Sequence, residues 1–157
     1  MHFDNRDTHK PGFKFNEYEL KGVPLRIGIG PRDLENGTVE LARRDTLSKK
    51  SVAQTDLVNE IKSTLKEVQV DLFERAKDFR ADHTTEVDTF DAFKEVLETK
   101  GGFVSAFWDG TEATETSIKE ATKATIRCVP LDSKAESGRC VFSGKPAKHR
   151  ALFAKAY

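Results

Sequence analysis

The residues best suited to chemistry lie in the first third of the chain. Phe13, Phe15 and Tyr18 stand among Lys10, Lys14 and Lys21, and Arg26, Arg32, Arg43 and Arg44 follow shortly after. Flat rings and cations this close together supply stacking planes and phosphate partners, the combination that single-stranded RNA recognition uses. Glu19 and Asp33 add acceptors for base N–H groups, those of guanine above all. Asp4, Arg6, Asp7 and His9 can be drawn as a hydrolytic cluster, but loop polars of this kind are more simply solvated or used as caps. No GK[ST] phosphate loop, GxSxG elbow or HExxH helix occurs, and the four histidines are scattered. Cys128 and Cys140 have no CxxC partner, so two separate thiols are expected rather than a redox motif.

The elements that must position this cluster follow from periodicity. Val23, Leu25, Ile27 and Ile29 fall every second residue, which gathers them on one strand face and turns Arg26 to the other. In the run TVELARR, Val39 and Leu41 share a face while Glu40, Ala42 and Arg44 take the opposite one. The residues between Gly30 and Thr38 are too few for a parallel crossover, so the two strands pair antiparallel. Pro31 opens and Gly37 closes a single helical turn, PRDLEN. Upstream, FKFNEYELK predicts a short amphipathic helix stopped by Gly22, and His2-Phe3-Asp4 reads as the end of a strand. Downstream, SVAQT predicts a return strand. From Asp56 to about Asp82, Leu57, Ile61, Leu65, Val68, Leu72, Ala76 and Phe79 recur at steps of 4, 4, 3, 4, 4 and 3. That is a long amphipathic helix with Asp56 as its N-cap and a stripe expected to be buried.

ADHTTEVD reads as a linker, which divides the chain into residues 1–82 and 83–157. Beyond it, Asp88 is the expected cap of the helix FDAFKEVLETK, which Gly101-Gly102 ends. FVSAFW, ATIRCVP, RCVF and RALFAKAY are expected strands and ETSIKEATK a second helix, a small α+β unit. Its core is expected from Phe103, Phe107, Trp108, Ile118, Ile126, Val141, Leu152 and Phe153.

Twenty-six basic residues balance 26 acidic ones, so any attraction to a polyanion must come from local clustering. No apolar run approaches the roughly 20 residues of a membrane span, and no basic-then-apolar leader opens the chain. A cytoplasmic protein without membrane or DNA partners is the expectation.

DNRDTHKPGFKFNEYELKGVPLRIGIGPRDLENGTVELARRD resembles the later part of the anticodon-binding domain of prolyl-tRNA synthetases, of the archaeal and eukaryotic-like type also found in some bacteria. WDGTEATE, ATKATIRCVP, GRCVFSGKPAK and LFAKAY resemble the C-terminal domain that this type carries. The resemblance covers nearly all of this chain but only the C-terminal part of such a synthetase. It implies an α/β anticodon-binding domain, a mixed sheet with helices that lacks its first strand and helix. A long helix and a small α+β C-terminal domain would follow.

By the resemblance, Phe15 stacks on an anticodon base and Glu19 accepts from a guanine edge. Arg26, Arg32 and Asp33 contact bases or backbone nearby; the cluster of rings and cations itself adds Arg43 and Arg44 to the anticodon-binding set. The implied partner is tRNA(Pro). The parent would be a homodimeric class II proline–tRNA ligase using ATP and magnesium. The catalytic domain has no counterpart here, so this chain is expected to hold no catalytic residue and no cofactor. Tyr157 is implied to approach the parent's active site. Many relatives hold zinc through four cysteines, whose matching positions here read Asp109, Thr114, Cys140 and Ser143. One thiolate remains, so no zinc is expected. A reading of another class is a free-standing protein-interaction module that docks through the long helix.

Overall fold

The computed structural model describes every residue except Asp132, Lys134 and Tyr157. In chain order the elements are α1 (Pro11–Leu20), β1 (Leu25–Gly28), α2 (Pro31–Asn36), β2 (Thr38–Arg43), β3 (Lys49–Ala53) and α3 (Leu57–Asp82). Then come β4 (Thr84–Glu86), α4 (Phe90–Glu98), β5 (Phe103–Trp108), α5 (Glu112–Thr122), β6 (Ala124–Cys128), β7 (Gly138–Arg139), β8 (Pro146–Ala147) and β9 (His149–Lys155). They divide into two units, Met1–Ala76 and Lys77–Tyr157. The sequence is thus an α/β piece, a long helix and an α+β unit.

In the first unit the order is β1-β2-β3, antiparallel throughout, with Ile27 opposite Leu41 and Val39 opposite Val52. The alternation seen in the sequence puts Val39, Leu41 and Val52 in a core with Leu25, Ile27 and, from α3, Leu57 and Ile61. Gly37 leaves α2 at φ 63°, a left-handed exit that a glycine takes without a Cβ clash. The expected stripe on α3 is only partly used. Thr64 and Val68 are buried, but Leu65, Leu72 and Phe79 are 41%, 37% and 63% exposed. The cause is length: 26 residues at about 1.5 Å each outrun strands of at most 6 residues at about 3.3 Å each.

Residues 1–10 form no strand, so His2-Phe3-Asp4 is not a strand end, and Phe3 is exposed. Charge holds this segment instead. Arg6 Nη2 lies 2.7 Å from Asp4 Oδ2 and 2.5 Å from Glu17 Oε2 on α1, while Lys21 Nζ lies 2.6 Å from Glu17 Oε1. Helix α1 itself starts at Pro11, where the missing N–H removes no hydrogen bond.

The second unit has the sheet order β4-β5-β9-β6, with β4 and β5 parallel and the remaining pairs antiparallel. ADHTTEVD is therefore not a linker: Thr84–Glu86 is an edge strand, and α4 lies in its crossover to β5. Thr89, not Asp88, caps α4, its hydroxyl accepting from the Ala92 N–H at 3.3 Å. Asp88 instead accepts from Arg150 Nη2 at 2.6 Å. Val104, Ala106, Ala151 and Phe153 meet Phe93, Leu97 and Ile118 in the core, with Phe93 and Phe153 edge to face at 5.2 Å. Of the residues expected there, Phe103, Trp108, Ile126 and Leu152 are only half-buried, Trp108 and Ile126 packing against the core's edge. Phe107 packs apart from the main core, with Cys140 and Ala147. Gly138 in β7 touches the Phe107 ring so closely that any Cβ would overlap it. The expected strand RCVF shrinks to the β7–β8 pair because Cys140 begins a turn, accepting from the Gly144 N–H at 2.9 Å.

The N-terminal ion pairs carry a pH dependence. Lys21 and then Arg6 hold the Glu17 carboxyl down to about 2, and Arg6 holds Asp4 well below the usual carboxylate range. Both pKa values are depressed on folding, so the stabilisation is present above the unfolded value of about 4.3 and is lost as pH falls towards the folded values. The protection factors of the α1 amides, taken against the intrinsic exchange rate at each pH, should fall between about pH 4 and pH 2, and Arg6→Ala should flatten that profile. A wild-type profile flat over this range refutes the anchoring role.

Candidate nucleic-acid interface

Strand alternation sends Arg26, Glu40, Ala42 and Arg44 to the face opposite the Leu41 core, where α1 brings Phe15, Tyr18 and Glu19. Helix and strand are joined by the Val23 N–H, which donates to the Tyr18 carbonyl at 3.0 Å. Phe15, Tyr18, Glu19, Val23, Arg26, Ala42, Arg43, Arg44, Leu47 and Lys49 line one cavity of about 140 Å³. Ala42, 7% exposed, sits among larger side chains and leaves them room.

The Arg26 guanidinium carbon lies 3.5 Å from the centre of the Phe15 ring, a cation–π contact that covers one ring face. Its Nη1 is 3.4 Å from Glu40 Oε1, and Lys49 Nζ reaches the same oxygen at 3.4 Å. Glu19 is half-buried, and among the described residues its carboxylate has no hydrogen-bond or ion-pair partner. Arg44 is exposed; its backbone N–H donates to the Pro24 carbonyl at 3.0 Å, and its guanidinium has no partner among the described residues. The lining thus offers two aromatic rings, three cations besides Arg43, and one unpaired carboxylate.

The seven residues expected to act together do not form one site. Arg43 reaches the cavity's edge, but its guanidinium is held by Asp45 at 2.7 Å, Asp71 at 2.6 Å and Glu67 at 3.4 Å. It shares the Leu41 side of β2, which faces α3, so it joins sheet to helix. The Asp45 carboxyl is correspondingly held low by Arg43. Asp33 is also engaged, accepting from the Gly30 N–H at 2.9 Å and the Thr38 hydroxyl at 3.2 Å. Arg32 is exposed on α2, and neither it nor Asp33 lines the cavity. Glu40 and Lys49 are contributors that sequence reasoning left out. Glu40 was legible from its alternation with Ala42 and Arg44, whereas Lys49 needed the register that sets it opposite Ala42.

The zinc-type positions of the second unit form a different structure. Asp109 Oδ1 accepts from the Thr111 N–H at 3.1 Å and its hydroxyl at 2.8 Å, while Oδ2 accepts from the Thr114 hydroxyl at 2.9 Å and the Ser143 hydroxyl at 2.7 Å. Burial pushes the Asp109 carboxyl up, but the Ser143, Thr111 and Thr114 bonds prevail and hold it at about 2. Cys140 is buried. This donor set does not fit tetrahedral zinc: two positions are neutral hydroxyls and the carboxylate is saturated with hydrogen bonds. Among the described residues no three His, Cys, Asp or Glu side chains gather to hold a metal ion. Tyr157 lies outside the described residues.

Comparison with known proteins adds to this geometry. Residues 1–64 match the family model described as an anticodon binding domain, and residues 90–157 match the one described as prolyl-tRNA synthetase, C-terminal. Over 155 residues the chain is 61% identical to a proline–tRNA ligase of Christiangramia forsetii and 61% identical to one of Flavobacterium johnsoniae, covering 99% of this chain and 32% of each relative. A proline–tRNA ligase of Porphyromonas gingivalis is 50% identical over 155 residues, with 31% of its length covered. The chain therefore spans about a third of the length of the curated relatives it matches. No helix among the described residues is long and apolar enough to cross a membrane.

Arg43 and Arg44, adjacent in sequence, should separate by stability. Arg43→Ala leaves the Asp45 carboxylate, 2% exposed, without its guanidinium and should destabilise the first unit by about 1–3 kcal/mol in denaturant unfolding. Arg44→Ala should leave the midpoint unchanged. Equal effects of the two substitutions would refute the division of labour.

Proposed function

We propose, for a chain that belongs to the prolyl-tRNA synthetase family through its anticodon-binding and C-terminal domains, that the first unit binds the proline anticodon. The observation that carries the reading is the convergence of Phe15, Glu19, Arg26 and Arg44 on one cavity, with the Glu19 carboxylate left unpaired. A guanine presents N1–H and N2–H₂ to such a carboxylate and O6 and N7 to an arginine, while its π-face needs a flat partner. Glu19 is the acceptor in this reading. Phe15 with Arg26 over it forms the stacking plane, so a base meets either the uncovered ring face or the guanidinium itself. Arg44, whose guanidinium has no partner among the described residues, neutralises a phosphate. Arg32, outside the cavity, serves a flanking phosphate, and Asp33 shapes α2.

The longer protein of which this chain is the C-terminal portion is, in the same reading, a cytoplasmic, homodimeric proline–tRNA ligase that joins proline to tRNA(Pro) at the expense of ATP. This chain supplies tRNA contact and no catalytic group. The second unit works without zinc, the hydrogen bonds around Asp109 joining the β5–α5 turn to the turn at Ser143.

Fluorescence anisotropy with a proline anticodon stem-loop, and with one whose two guanines are replaced, tests the RNA role. The guanine loop should bind roughly tenfold or more tightly, and Glu19→Gln should erase that preference. Equal binding of both loops by the wild-type chain sinks the proposal. Elemental analysis of the purified chain should find zinc far below one equivalent, and a chelator should leave its thermal midpoint in place. About one tightly held equivalent would overturn the metal-free reading.

A further inference from the structure

On the cavity face of the first unit, three strands meet at Ala42. Arg26 of β1 and Lys49 of β3 are its register partners on either side. Glu40, two residues back on β2, is diagonal to both, close enough for long side chains to interact. Its Oε1 lies 3.4 Å from Arg26 Nη1 and 3.4 Å from Lys49 Nζ, so one carboxylate oxygen gathers the cations from both neighbouring strands. Arg26 is 18% exposed in its side chain and lies flat on Phe15, an orientation that a guanidinium aimed freely into solvent would have no reason to keep. Glu19, on α1, is the carboxylate that lines the cavity itself, and it has no partner among the described residues.

The two carboxylates therefore have different employment. Glu40 occupies the cations; Glu19 is left to accept from a ligand. We infer that Glu40 is a positioning residue for guanine recognition, fixing Arg26 on Phe15 and keeping both Arg26 and Lys49 from Glu19. The inference rests on the anticodon-binding reading of this cavity. Without the Glu40 charge, Arg26 and Lys49 are released to pair with Glu19 or with any phosphate. The first outcome blocks the acceptor that selects guanine, and the second adds sequence-independent attraction. Affinity and specificity then move in opposite directions, which simple loss of folded protein cannot do.

Glu40→Gln in the full chain, measured in two ways, decides the matter. The first measurement needs no RNA: the Arg26 side-chain protons should be shifted upfield by the Phe15 ring current in the NMR spectrum. That shift should collapse in Glu40→Gln while the backbone amide spectrum stays that of a folded chain. The second uses the two stem-loops at two salt concentrations. Glu40→Gln should bind the guanine-substituted loop more tightly, with a log–log salt slope steeper by about one unit, and the preference for the guanine loop should fall from roughly tenfold towards parity. Glu40→Asp, which keeps the charge, should restore part of the preference. A retained Arg26 shift with a retained preference overturns the inference, as does parallel weakening on both loops. A wild-type chain that ignores the guanines sinks the reading of the cavity instead, and the Arg26 shift alone then judges whether Glu40 holds the guanidinium.

Discussion

A strand residue can point in only two directions, and in β2 that restriction separates charge that holds the fold from charge that faces the cavity. Val39, Leu41 and Arg43 fall on the side covered by α3; Glu40, Ala42 and Arg44 fall on the side covered by α1. Two adjacent arginines thereby meet opposite fates. Arg43 is enclosed by Asp45, Asp71 and Glu67, and Arg44 is left exposed beside the cavity. A one-residue slip of β2 would exchange these roles and bury Glu40 and Arg44 against Leu57 and Ile61. Register is thus set by the core and inherited by the site.

The same alternation explains what could be read from the sequence. Helix α2 was legible to the residue, because Pro31 and Gly37 have backbone preferences that few other residues share. The opposed faces of β2 were equally legible, and they already placed Arg43 with Leu41. Grouping it with Arg26 and Arg44 followed charge where it should have followed parity. Strand β4 is not legible in the sequence because Thr-Thr-Glu is short and polar; what makes it a strand is the pairing to Phe103, Val104 and Ser105, which lies outside the segment itself. The half-burial of the stripe on α3 is hidden for a related reason. A helix's period tells which face is apolar, but the length of what covers it belongs to the three short strands. Phe93, wholly buried, is in the sequence only one apolar residue of a helix; its edge contact with Phe153 links it to the last strand of the chain.

Asp109 shows how hydrogen bonds alone can cross-link two turns at positions that a zinc site would fill with thiolates. Its two oxygens take four hydrogen bonds, from Thr111 and Thr114 at the start of α5 and from Ser143 in the turn after β7. Bonds to an ionised acceptor are stronger than those between neutral groups, and the link to Ser143 spans 34 residues of sequence. The same carboxylate stands at the N-terminal end of α5, where a negative charge is favoured by the helix dipole. Beside it, Cys140 packs with Phe107 and Ala147 as a small apolar side chain. Three positions that could have bound a metal are therefore occupied with one another.

In the cavity of the first unit the important distinction is between groups already satisfied and groups still waiting. The Arg26–Glu40 contact, at 3.4 Å and with Glu40 40% exposed, is of the kind that contributes about 0–1 kcal/mol. It orients the guanidinium, yet it is weak enough to leave Arg26 free to adjust. Glu19 behaves differently. A half-buried carboxylate with no donor has lost part of its hydration without compensation, and a ligand carrying two adjacent N–H groups restores what was lost. A base that lacks those donors would push Glu19 further from water and give nothing back. In the anticodon-binding reading proposed above, discrimination comes mainly from the penalty on the wrong base, the same asymmetry by which sites built to satisfy a polar group reject analogues that cannot.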